Sequence, residues 1–585
     1  MSNEVKITWK HLQKYLTCQP YFVWNDFKGK AIIDDDKEED FWSLKFDEDE
    51  VDEPNYVEVH KTGFNIVTNS FHKWIEEKYK SEGLNLLAIK EKDYQIGIQK
   101  TKEAMLDNDV DVILYPVFEY NGAVSKPTLY NKKESKISNL NLNTSTKRVD
   151  YIRAFFDFEI IIKNNYKVLD ISILTIEIKD FAEGDEITFD ETRYANTTAS
   201  KPQSKSKTIP ALKESALGSE EKMVDTIFQK IKARSILNLS KNSKKKPLTL
   251  YRIDFYINRI KEAQTALRKD VSEQDNTMWG SNKFFNEIAQ EDFPHMMPLS
   301  GTLMNKVKIL ESKGDPQFLE DFYKSNITTN CMKKNIDKID YDFLEKIMNQ
   351  LEGKNVVWYD FEGFSLPFPI MAFTLPYQQL IFQVSVIKTV EDKITDINNI
   401  VIDPKNIKYT DFFGIIDAIY AEEADAYVVY NKSYENSKLL SMIEIFYKQN
   451  LILENSIEWK LYESKVKSII EKTVDLLDLF KLTSLKGALP PIFLADLYGY
   501  SSIKKIEKYI TKNNFDLEVM IEPYSELVVQ NGLMAMSKAI DRCLGGIGDK
   551  EWKEVVKDLK NYCENDVKAM LMVYHFAKMK LKEKN

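Results

Sequence analysis

Residues 355–364 read NVVWYDFEGF. Valine, tryptophan, tyrosine and phenylalanine favour extended backbone, so the run predicts a strand. On a strand, side chains alternate, which puts Asp360 and Glu362 on one face and Phe361 on the other. Two carboxylates converging on one face repel each other unless a cation holds them together. Mg²⁺ or Mn²⁺ prefers such oxygen ligands. Taken alone, the pair fits ordinary polar alternation on a solvent-facing strand more readily.

The neighbouring sequence extends the pattern. QLIFQVSVIK (379–388) and DAYVVY (425–430) predict two further strands. Helices are expected over 434–447, near 471–482 and over 549–582. Strands followed by strand–helix units imply an α/β sheet with helices packed against it. After the third strand comes Asn431, with Glu435 four residues later on the opening helix. Near the C-terminus Tyr562 and Asp566 stand four apart and share one helix face.

This order resembles the DEDD exonucleases of the ribonuclease H-like superfamily, in the subgroup whose third motif carries tyrosine. The first motif of that family, Asp-x-Glu, falls on Asp360 and Glu362. The second, a strand-end Asn with an acid four residues on, falls on Asn431 and Glu435, where the family has Asp. The third, Tyr-x-x-x-Asp, falls on Tyr562 and Asp566. The resemblance implies a mixed sheet with flanking helices, and two Mg²⁺ or Mn²⁺ ions about 3.5–4 Å apart. Asp360 would bridge them, Glu362, Glu435 and Asp566 would complete their shells, and Tyr562 would orient the attacking water. The implied activity is 3′–5′ hydrolysis of phosphodiester bonds in DNA or RNA. The alternative is a catalytically inactive nucleic-acid-binding or assembly protein that retains the fold.

A closer likeness rests on five separated stretches: 359–387, YNKSYENSKLL (430–440), DLLDLFKL (475–482), SLKGALPPI (484–492) and YCENDVKAM (562–570). They are similar to a bacterial domain family of unknown function, DUF2779, in which Glu at the position of Glu435 is usual. Gln383, Ser385, Asp475 and Lys486 match further motifs of that family. Gln383, Asp475, Lys486 and Asn431 are candidate substrate contacts, Lys486 serving either a phosphate or the fold.

The N-terminal half resembles, more distantly, the Cas4-like nucleases of the PD-(D/E)XK fold. TWKHLQKYLTCQPYFVW (8–24) is similar to their opening helix with a first cluster cysteine, Cys18, and YIRAFFDFEIIIKN (151–164) to the helix after the core. The catalytic acids of that fold are replaced here by Thr128, Asn141 and Asn143, and amides cannot neutralise a cation as carboxylates do. No cysteine lies between 19 and 330, so no iron–sulfur cluster is expected. Glu177-Ile-Lys179 is the alternative position of the Glu-x-Lys motif.

Composition sets the outer limits. The chain has 585 residues, long enough for about three domains. The expected division is a degenerate PD-(D/E)XK-like α/β domain at 1–195, a linker and helical connector at 196–345, and the ribonuclease H-like domain at 346–585. A strand over 110–118, a turn at Asn121-Gly122, a strand over 168–178 and an opening helix over 5–30 are expected in the first domain. Acidic residues number 91 against 81 Lys and Arg, a net charge of −10, which excludes a polybasic coat. Only eight of the basic residues are Arg, so nucleic-acid contacts would fall to Lys, as point charges on the backbone. The acidic runs at 34–54, the Ser- and Lys-rich stretch at 195–220 and the basic run KNSKKKP (241–247) read as solvated segments. Four cysteines without a CxxC pair fit a reduced compartment. No run approaches the roughly 18 apolar residues of a membrane span, so a cytoplasmic protein without membrane contact is expected. The sequence names no protein partner.

Overall fold

The structure, a computed structural model, describes residues 6–18, 56–144, 148–177, 187–192, 251–265, 317, 321, 330–331, 334–450, 458–481, 489–497 and 500–584. The stretches at 34–54, 195–220 and 241–247, most of the connector and Lys486 lie outside them. The chain is a mixed α/β protein that divides into two compact units. One takes residues 1–38, 64–179 and 184–281, the other 39–63, 180–183 and 282–585.

The strands of the first unit are β1 (Leu86–Ala88), β2 (Val112–Leu114), β3 (Phe118–Tyr120), β4 (Ala123–Ser125), β5 (Leu129–Asn131), β6 (Lys136–Asn141), β7 (Asp170–Ile176) and β8 (Phe189–Thr192). Six of them form one sheet in the order β1-β2-β5-β6-β7-β8. The helices of the N-terminal half are α1 (Trp9–Cys18), α2 (Tyr56–Ser81), α3 (Tyr94–Leu106), α4 (Arg148–Lys163) and α5 (Ile253–Thr265). Helix α4 links the parallel pair β6 and β7, and its Phe155, Phe156 and Phe158 share a core with Leu12 of α1 and Tyr256 of α5. The single strand expected at 110–118 is interrupted. Tyr115 adopts φ 57° and Pro116 offers no N–H, so β3 is a separate strand. It forms a hairpin with β4 across Asn121 and Gly122, both at positive φ. The opening helix is described over Trp9–Cys18, and residues 19–30 lie outside the described ones.

One ion cluster stabilises this sheet. Glu191 accepts from Lys78 at 2.5 Å, from Lys136 at 2.9 Å and from the Ser172 hydroxyl at 2.9 Å. Burial raises its carboxyl, but the two lysines outweigh that and hold it at about 2. A depressed carboxylate contributes stability above its unfolded pKa and loses it as pH falls through the folded value. Glu191→Gln is therefore expected to cost roughly 3 kcal/mol at pH 7. In urea titrations the difference should shrink between about pH 4.5 and pH 2. An unchanged difference across that window would contradict the assignment.

In the second unit, β9 (Lys338–Ile339) pairs with β15 (Ile492–Phe493) as a small separate ribbon. The main sheet is built on β10 (Asn355–Phe364). It pairs antiparallel with β11 (Leu380–Val390), which pairs antiparallel with β12 (Lys393–Val401). On its other side lie β13 (Ala426–Val429) and β14 (Thr473–Asp475), both parallel. The order is β12-β11-β10-β13-β14, so β10 is central. Its odd residues Val357, Tyr359 and Phe361 enter one core with α7 (Asp411–Ile419), α8 (Lys432–Asn450) and α9 (Glu458–Glu471). Val356 and Trp358 enter another with α6 (Tyr341–Met348), α10 (Ile503–Lys512) and the long α12 (Asp549–Lys582). Both faces of β10 are covered, so its alternation is hidden within a nearly continuous apolar run.

One expectation is corrected, and one strand has no counterpart among the expected elements. The region near 471–482 is not a helix: α9 ends at Glu471, β14 follows, and Leu476–Leu479 is a short 3₁₀ turn. A three-residue parallel strand buried between layers carries no periodicity to distinguish it from helix. The sheet also has an edge strand that apolarity does not reveal. β12 is exposed over Lys393–Asn398, Ile394 and Ile397 included. Glu391 and Asp392, with φ of 49° and 66°, make the tight hairpin turn that joins it to β11.

Candidate metal and catalytic site

The strand expected over 355–364 is present as β10. Asp360 and Glu362 lie on the face that also presents Val356 and Trp358, while Phe361 enters the opposite core. The register sets Asp360 opposite Ser385 and Glu362 opposite Gln383. Helix α12 crosses this face. Two contacts fix it there, the Cys563 thiol on the Asp360 carbonyl at 3.6 Å and the Gln383 amide on the Leu559 carbonyl at 2.6 Å. That docking delivers Asp566. Ligand oxygens of Asp360, Glu362 and Asp566 lie within 4.8 Å of one another.

Glu435 comes from the first turn of α8. Its position depends on Asp475, the last residue of β14. The Asp475 carboxylate accepts from the backbone N–H groups of Asn431 at 2.8 Å, Lys432 at 2.9 Å and Leu477 at 3.0 Å. Asn431 sits at φ 88°, a left-handed turn that asparagine tolerates and that swings the chain from β13 into α8. Glu435 is 3% exposed, and its Oε2 has no hydrogen-bond partner among the described residues. A buried carboxylate oxygen without a partner is costly, and a cation is a group that satisfies it.

The electrostatics link Asp360 to Asp566 and to Glu435. Burial first, then the Asp566 charge, push the Asp360 carboxyl up to about 8. Burial and then Asp360 push Glu435 well above the usual carboxylate range. Asp360 thus feels, or is felt by, an acid on each of two helices. Burial, followed by Asp566 and Glu362, drives the Tyr562 hydroxyl far above its ordinary value, so it stays protonated.

The other expected residues divide. Asp475 is engaged with backbone and holds the strand–helix junction, and Gln383 is fully buried against α12. Ser385 donates to Asn399 at 2.6 Å. Lys486 lies outside the described residues. Asp475→Ala removes three charge-assisted bonds and is expected to cost about 3 kcal/mol, measured by denaturant unfolding. A loss below about 0.5 kcal/mol would show that the junction stands without it.

Several neighbours carry no recognisable motif. Tyr524 donates to Asp566 Oδ1 at 2.5 Å. Gly532, at the start of α11 (Gly532–Cys543), is close enough to Glu362 that an added Cβ would lie 3.5 Å from Oε2. Lys504 of α10 lowers Asp360 through its charge.

In the first unit, Thr128, Asn141 and Asn143 are buried and hydrogen-bonded. The Thr128 hydroxyl accepts from Leu140 N at 2.8 Å. Asn141 donates to Asp150 at 2.9 Å while accepting from the Asn143 amide at 2.8 Å. Glu177 accepts from the Thr188 hydroxyl; Ile178 and Lys179 lie outside the described residues. No helix among the described residues is long and apolar enough to cross a membrane.

Residues 357–502 match the family described as Domain of unknown function (DUF2779). The match includes Asp360, Glu362 and Glu435 and stops before Tyr562 and Asp566. Three curated relatives are similar to the chain. "Uncharacterized protein MG366" of Mycoplasma genitalium is 25% identical over 562 residues, 83% of this chain and 80% of its own length. "Uncharacterized protein UU173" of Ureaplasma parvum serovar 3 is 34% identical over 268 residues, 45% of this chain and 36% of its own. "Uncharacterized protein MG366 homolog" of Mycoplasma pneumoniae is 26% identical over 395 residues, 61% of this chain and 56% of its own. The domain match and these relatives support the DUF2779 resemblance. No solved structure matches the chain.

Proposed function

We propose that the second unit is a metal-dependent 3′–5′ exonuclease of ribonuclease H-like type, acting on DNA or RNA. The observation that carries this reading is the meeting of Asp360, Glu362 and Asp566 oxygens within 4.8 Å. The donor set is all carboxylate, which suits Mg²⁺ or Mn²⁺, and Glu435, with its orphaned Oε2 and its carboxyl raised by Asp360, would be a further ligand. The order of three antiparallel strands followed by two parallel ones agrees with a ribonuclease H-like sheet.

Asp360, Glu362, Glu435 and Asp566 would hold the ions. When bound, such ions acidify a water and stabilise charge on the leaving oxygen. The chain's own part is to place and orient. Tyr562 would orient the attacking water by hydrogen bonding; in the metal-free chain burial and the Asp566 and Glu362 charges keep its hydroxyl protonated. Docking of α12 on β10 brings Asp566 to Asp360 and Glu362. Lys504 and Lys438 supply positive charge near the acids, which suits backbone contact without base reading. Under this reading the first unit is a degenerate PD-(D/E)XK-like domain, since Thr128, Asn141 and Asn143 offer no charged ligand.

With Mn²⁺, the purified chain is expected to shorten 5′-labelled oligonucleotides stepwise from the 3′ end, and EDTA should stop it. Intact single- and double-stranded DNA and RNA after long incubation would contradict the reading and favour a binding protein without catalysis.

A further inference from the structure

We propose that Tyr524 is a positioning residue that fixes the Asp566 carboxylate for metal binding, a role resting on the metal-site reading above. Tyr524 opens the 3₁₀ turn Tyr524–Glu526, in a stretch without motif character. Its hydroxyl donates to Asp566 Oδ1 at 2.5 Å, and its ring meets that of Tyr562 edge-on with centroids 6.3 Å apart. One side chain therefore touches both residues of the Tyr-x-x-x-Asp motif.

The turn is itself tied to α12. Asn565, next to Asp566 and 5% exposed, donates to the Glu522 carbonyl at 2.9 Å and accepts from the Glu522 N–H at 3.2 Å. On the other side, Lys504 Nζ lies 5.5 Å from the centroid of the Tyr524 ring. Helix, turn and hydroxyl form a short closed loop of contacts around the Asp566 carboxylate. A carboxylate rotates about its terminal torsion, and a bond to one oxygen sets the direction of the other. That orientation is what an ion shared with Asp360 and Glu362 requires. A tyrosine serving only the core would need its ring and not its hydroxyl, which makes the hydroxyl the part to remove.

Tyr524→Phe keeps the ring and deletes the donor. Mn²⁺ titrations of the full chain, followed by electron paramagnetic resonance, are compared with melting of the metal-free proteins. Mn²⁺ affinity is expected to fall about 10-fold or more, with the metal-free melting temperature nearly unchanged. Equal affinities in wild type and variant would overturn the proposal while leaving the metal site standing. A variant that loses its metal-free melting transition would also overturn it, because the hydroxyl would then serve the fold. A wild type that binds no Mn²⁺ would overturn both this proposal and the metal reading. Weaker binding by the variant, with no cleavage by either protein, would uphold the proposal and remove the exonuclease reading alone.

Discussion

Asp360→Ala is expected to lower phosphodiester cleavage by about a thousandfold or more, with the fold intact. Asp360 is the acid whose charge raises Glu435 on α8 and whose own carboxyl is raised by Asp566 on α12. At the proposed metal site, removing it would take away the acid that interacts with both Asp566 and Glu435 rather than one peripheral contact. Metal-ion stabilisation of a transition state is worth several kcal/mol, and each 1.36 kcal/mol is about a factor of ten. The strand survives because its cores are built from Val357, Tyr359, Phe361, Val356 and Trp358, which the substitution leaves in place. Single-turnover cleavage of a labelled oligonucleotide measures the effect. A variant rate within a few-fold of wild type would place the chemistry elsewhere.

The same cluster should reveal itself in stability without any substrate. Three carboxylates within 4.8 Å repel one another in the metal-free chain, and the cost is greatest where water is excluded. Asp360→Asn keeps the shape and removes a carboxyl that burial and Asp566 push up to about 8, which the metal-free fold must hold protonated at neutral pH. With EDTA at neutral pH it is expected to melt several degrees above wild type, a gain of about 1–3 kcal/mol. Adding Mn²⁺ should reverse the order. A ligand at about a hundred times its dissociation constant stabilises by about 2.7 kcal/mol, a gain open to wild type and largely closed to the variant. Calorimetry of both proteins in EDTA and in Mn²⁺ gives the four values. Identical melting in all four conditions would show that the acids neither repel nor bind.

Legibility in the sequence follows the strength of local signals. β10, β11 and β13 are readable because each is a run of β-branched and aromatic residues, and the Asp360–Glu362 spacing gives their shared face directly. β12 is hidden because an exposed edge strand need not be apolar, and β14 because three residues are too few for a period. Glu435, Tyr562 and Asp566 stand on ordered motifs and can be picked out from spacing and resemblance. Asp475 is also marked by resemblance, but its work is backbone capping, which depends on a turn geometry at Asn431 that composition does not encode. Tyr524, Asn565 and Gly532 are invisible for a different reason. Their roles arise only when α12 and the 522–532 stretch pack on the strand that carries Glu362 and Asp360.

The most direct test is anomalous diffraction from crystals of the full chain grown with Mn²⁺. Manganese signal is expected at Asp360, Glu362, Glu435 and Asp566. Crystals that bind manganese only elsewhere, or leave these four carboxylates without it at saturating Mn²⁺, would contradict a metal centre at this site.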